Sequence, residues 1–71
     1  MTELSRGESR AERLIRLEDV LRQAGEGGAT VPELAIRLKV HRRTIYRDLY
    51  SLQRIGRAVV HPEHGVWMLV R

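Results

Sequence analysis

The chain has 71 residues, a formal net charge of +4 and no cysteine. A chain of that length forms one domain that buries about 60% of the surface its unfolded form exposes, and the lack of cysteine excludes a disulfide framework, a thiolate metal site and a thiol nucleophile. No apolar run approaches the ~20 residues that span a bilayer, and the N-terminus MTELSRGESRAER lacks the apolar centre of a secretory signal, so a cytoplasmic location and no membrane partner are expected.

Residues 1–9 are polar and weakly patterned and read as a frayed lead-in to a domain of residues 10–71. A first helix is expected from Ser9 to Ala24. Leu14, Leu17, Val20, Leu21 and Ala24 fall on one stripe, with Glu12, Arg16, Asp19 and Arg22 outside it. Ser9 and Glu12 stand at capping-box spacing. Gly25, Gly27 and Gly28 then end the helix and open a flexible link. Thr30-Val31-Pro32-Glu33 carries a second helix start: an N-cap threonine, an early proline and a glutamate that returns a bond to the cap. That short helix turns Leu34, Ala35 and Leu38 inward. Lys39-Val40-His41 makes a turn, and a third helix runs from Arg42 to Ile55 until Gly56 stops it. Arg57–His61 and Val66–Val70 are β-rich and flank Pro62-Glu63-His64-Gly65, a hairpin signature. Trp67 reads as core, with Met68 and Leu69 packing the wing onto the helices. The expected fold is therefore mainly α with a small β-hairpin: three helices plus a two-stranded wing, the winged helix-turn-helix arrangement.

Charge is unevenly spread. Residues 1–36 carry five arginines against seven acids, and residues 37–57 carry seven cations against Asp48 alone. A basic band beside a near-neutral remainder suits a polyanion partner. The third helix sharpens this. Ile45, Leu49, Leu52 and Ile55 form its buried face, while Arg43, Arg47, Tyr50 and Arg54 lie opposite. Guanidinium groups offer paired donors to guanine or phosphate, the chemistry a major-groove helix needs. An ordinary solvated face mixes acids among its cations instead.

Leu34 to Gly56, LAIRLKVHRRTIYRDLYSLQRIG, resembles the helix-turn-helix of DeoR-type regulators and the N-terminal domains of WYL-domain bacterial transcription regulators. Gly65-Val66-Trp67-Met68-Leu69 resembles the end of their wing. The resemblance implies a sequence-specific regulator of transcription, a repressor rather than an activator, that binds double-stranded DNA. It implies that Arg43, Thr44 and Arg47 reach into the groove, and that Arg42 and Tyr46 flank them on the backbone. Two residues depart from the pattern: Lys39 stands where the family usually has glycine, and His41 where it has serine. A left-handed Lys39 would cost roughly 1 kcal/mol, and the His41 ring is a weaker cap that can instead donate to phosphate; Lys39 and His41 are both candidate DNA contacts. Asp48 is expected to anchor a basic residue of its own fold, because a carboxylate facing phosphate would repel it. Arg57, His61 and His64 either reach sugar-phosphate from the wing or belong to a plain structural hairpin.

Such regulators normally continue into a ligand-sensing or oligomerising domain, so the chain is either a stand-alone binder or a piece of a larger one. Ile15, with Ala11, gives the first helix a small second apolar patch and a candidate homodimer contact. His61-Pro62-Glu63-His64 lacks the third imidazole or thiolate that a zinc site needs, so no metal or cofactor is expected. So short a chain leaves no room for a ligand pocket of useful size, and no small-molecule ligand is expected. Nothing arranges a nucleophile or a phosphate loop, and no enzyme is expected. Two rivals remain. A protein–protein assembly module would show an apolar or mixed outer face on the third helix, and a double-stranded RNA binder would meet a major groove too narrow for that helix.

Overall fold

The computed structural model describes residues 8–61 and 64–70. Helix α1 (Arg10–Ala24) is followed by a single 3-10 turn (Gly25–Gly27), strand β1 (Ala29–Thr30), α2 (Val31–Leu38), α3 (Arg42–Arg54), β2 (Ala58–His61) and β3 (Val66–Leu69). Both capping boxes are formed. Ser9 and Glu12 exchange bonds at the start of α1, and Thr30 and Glu33 do the same at α2. Of the expected lead-in, residues 1–7 lie outside the described residues; Glu8 accepts from Arg16 at 2.6 Å.

The glycine segment departs from expectation. Gly28 opens no flexible link; it passes directly beneath β3. A Cβ there would lie 2.3 Å from Val66 Cγ1 and 2.6 Å from the Trp67 carbonyl oxygen. That approach lets β1 pair with β3, Ala29 opposite Trp67 and Thr30 opposite Val66. The wing is therefore one side of a three-stranded antiparallel sheet of order β1-β3-β2. Two residues give too short a pattern for periodicity to reveal a strand.

Alternation sorts the hairpin. Ala58 opposite Leu69 and Val60 opposite Trp67 face the helices, while Val59 and His61 point to solvent. The core joins Leu17 and Leu21 of α1, Val31, Leu34 and Leu38 of α2, and Ile45, Leu49 and Leu52 of α3 to Ala29, Ala58 and Trp67. Ile55 does not join it. The helix ends at Arg54, Ile55 caps it with φ −93° and ψ 8°, and Gly56 turns the chain at φ 79°. The helical progression that would have carried Ile55 inward has stopped by then, and the side chain is 65% exposed.

Three arginines of α1 grip the helix-turn-helix from behind. Arg13 donates to Asp48 through Nε at 2.5 Å and Nη2 at 3.0 Å. Arg10 donates to the Ser51 hydroxyl and lies 3.8 Å from Asp48. Arg16 donates to the Leu38 carbonyl, at the end of α2, at 3.2 Å. Asp48 is 1% exposed, so its charge must be matched within the fold. Removing one partner of a buried pair costs about 3–5 kcal/mol.

Candidate nucleic-acid interface

The turn between α2 and α3 takes the left-handed conformation, with Lys39 at φ 59° and ψ 44°. The lysine holds the conformation that glycine would adopt without strain and bears that strain itself, and its side chain is exposed. His41 then caps α3. Its Nδ1 accepts from the Arg43 amide at 3.0 Å, so the ring proton sits on Nε2. One imidazole thus closes the helix start and leaves an N–H donor available, at the end where the helix dipole favours an anion.

Along α3, Arg42, Arg43, Tyr46, Arg47, Tyr50 and Arg54 are exposed, while Thr44 is half-buried. Thr44 shares the flank of Asp48 and Ser51 four and seven residues on, the flank that α1 holds. Arg43, Arg47 and Arg54 run along the crest. Tyr46 and Tyr50 form the flank nearest the wing. Their ring centroids lie 6.2 Å apart at 28°, and Tyr50 meets Trp67 edge-on at 5.9 Å and 73°.

Ion pairing sorts the cations. Arg10 and Arg13 serve Asp48, Arg16 serves Glu8, Arg22 serves Asp19 and Arg57 serves Glu18; Arg37 donates to Gln23. Among the described residues, Lys39, Arg42, Arg43, Arg47 and Arg54 have no acidic partner. All five lie in the turn or on α3. Desolvating a charge already paired is costly, whereas an unpartnered surface cation gains from any anion that reaches it.

Of the sequence-derived candidates, Lys39, His41, Arg42, Arg43, Tyr46 and Arg47 come together on one surface, with Thr44 half-buried at its edge. Arg57 is elsewhere engaged: its hydrogen bond to Glu18 raises its pKa, and a phosphate would have to compete with that carboxylate. On the hairpin, His61 and His64 lie with ring centroids 4.8 Å apart. Asp48 does anchor basic residues of its own fold, but Arg13 and Arg10 as its partners were not legible, since 35 residues separate Arg13 from Asp48. The Asp48 hydrogen bond and charge raise the Arg13 pKa. The Arg13 guanidinium therefore keeps its charge through arginine's ordinary range and loses it only as pH climbs through the raised value.

The chain's shortness argues against a concavity of useful size, yet one of about 480 Å³ opens between α3, the wing and the start of α2. It is a trough lying between the wing and α3. Tyr46, Tyr50 and Trp67 line it together with Pro32, Gln53 and Val60.

Residues 10–65 match the family described as HTH domain. The fold is similar to the Zalpha domain of PKZ from Carassius auratus, solved in complex with Z-DNA, at 27% identity and a TM-score of 0.78 over 86% of this chain and 97% of that one. It is also similar to the ORF112 Zalpha domain of Cyprinid Herpesvirus 3, solved for its binding mode to Z-DNA, at 30% identity and a TM-score of 0.75 over 84% of this chain and 95% of that one. No curated protein matches the chain. No helix among the described residues is long and apolar enough to cross a membrane.

Proposed function

The chain belongs to the HTH domain family, and we propose that it binds double-stranded DNA through α3 and the turn before it. The observation that carries this reading is the segregation of unpartnered cations: five on one surface, while the other described arginines are held by acids or, for Arg37, by Gln23. Arg43 and Arg47 face base edges, Thr44 lies at the margin, and Lys39, His41, Arg42 and Tyr46 hold phosphates. Arg57 contributes only if the duplex displaces Glu18. The resemblance to DeoR-type and WYL-domain regulators supports a sequence-specific transcriptional regulator, a repressor, and Ile15 supports pairing of two copies on adjacent half-sites. The outer face of α3 is cationic and aromatic, which disfavours a module devoted to protein assembly.

The test is duplex affinity against salt. Neutralisation of two phosphates by Lys39 and Arg42 implies a log–log slope of about −2, steepening to about −4.5 if all five unpartnered cations engage phosphates. A slope near zero between low and physiological salt would remove the nucleic-acid reading.

A second reading is favoured by the two Zalpha domains, both studied with Z-DNA. On it, the α3–wing surface reads the shape of a left-handed duplex rather than base edges. Circular dichroism of an alternating dC-dG duplex separates the two: inversion of the spectrum on adding protein supports shape reading, and an unchanged spectrum with tight binding to one selected B-form site supports base reading.

A further inference from the structure

The trough between α3 and the wing is more than a by-product of packing. Two of its walls are the exposed rings of Tyr46 (44% exposed) and Tyr50 (52%), and its floor is the edge-on Trp67. The hydroxyls of both tyrosines and the side-chain amide of Gln53 make no hydrogen bond to any described residue. The trough therefore offers ring faces for stacking, with an unspent donor–acceptor amide and two phenols at its rim. Arg43, Arg47 and Arg54, three of the unpartnered cations, lie one helical turn from these rings on the adjoining crest.

We propose that this trough takes a nucleobase swung out of the duplex, so that the protein prefers DNA carrying an unpaired base beside the bound segment. The inference rests on the DNA-binding reading and names a further part of its ligand. A paired base has both faces covered by its neighbours and cannot lie against a tyrosine ring; an unstacked one can. The amide of Gln53 meets the mixed donors and acceptors of a base edge, which an aliphatic or purely anionic ligand would leave unused. Arg54, the one cation of the crest not given to base edges, is left to receive a phosphate beside the displaced nucleotide. A bulged base has already lost its pairing, so little further energy is needed to move it, and stacking on an aromatic side chain tolerates any base.

The test compares two duplexes of one sequence, one fully paired and one carrying a single bulged 2-aminopurine, by fluorescence anisotropy at the same salt. The bulged duplex should bind roughly tenfold more tightly, with the 2-aminopurine emission quenched as the base stacks. Tyr46→Ala and Gln53→Ala should each bring the ratio of the two affinities towards one; both side chains are exposed, and circular dichroism confirms folding of each variant. Equal binding of the two duplexes, with emission unchanged, overturns this inference alone. A bulge preference that survives both substitutions also overturns it, by placing the base outside the trough. Failure to bind either duplex overturns the DNA reading and this inference with it.

Discussion

Lys39 occupies a backbone conformation that glycine would adopt without strain. Its retention of a side chain there makes sense if the ammonium group has work outside the fold, since it has no acidic partner among the described residues. Lys39→Gly should then separate two effects. Stability should rise by about 1 kcal/mol, read as a higher urea midpoint, while duplex affinity should fall as one phosphate contact is lost. A fall in both would mean that the lysine braces the turn. Along α3 the crest residues differ by position rather than chemistry. Arg47→Ala should cost roughly 1–3 kcal/mol of binding and relax preference at one base position. Arg54→Ala should cost little, because the C-terminal end of a recognition helix leaves the groove. Equal losses, measured by titration against a selected site and its single-base variants, would mean that the helix lies flat on phosphates.

At the level of elements, the wing depends on a position that looks like linker. Gly28 combines φ 68° with an approach to the Trp67 carbonyl that leaves no space for a methyl group. The Val66 side chain can move aside; the backbone oxygen cannot without breaking β1 from β3. Gly28→Ala should therefore destabilise the fold by about 2–4 kcal/mol. Gly25→Ala, with a similar φ but nothing within 4 Å, should cost less, only the conformational term of roughly 1–3 kcal/mol. Chemical denaturation of the two variants checks this, and equal losses would show that only the backbone angle matters. The other elements are placed by α1, whose arginines reach the end of α2 and the middle of α3. Through Asp48 and Ser51, α1 ties down the helix that carries the cationic crest.

For the whole molecule, one recognition helix and one wing make a footprint on the order of 600–1,000 Å², small for specific recognition. Pairing on two half-sites would double it, and Ile15, 66% exposed on α1, is the contact we propose. Light scattering should show weak self-association that a duplex with two half-sites strengthens, because the second copy arrives at raised effective concentration. Ile15→Glu should abolish that strengthening. A 1:1 complex on palindromic DNA, unaltered by the substitution, would show that the copies act singly.

The three helices, both capping boxes, the turn of the chain at Gly56 and, Ile55 excepted, the division of α3 into a buried and a cationic face were all determined by the sequence. Each rests on neighbours within about one or two turns, where spacing alone fixes which side chains share a face. The tertiary structure decided the rest. The pairing of β1 with β3, the burial of Trp67 against Tyr50, the engagement of Arg57 by Glu18 and the clasp of Arg13 on Asp48 join residues 17 to 39 positions apart. Periodicity carries no information at those separations. Charge counting likewise gave a basic band but not its usable part: only the folded chain brings acids of α1 to some arginines and leaves those of α3 unpaired.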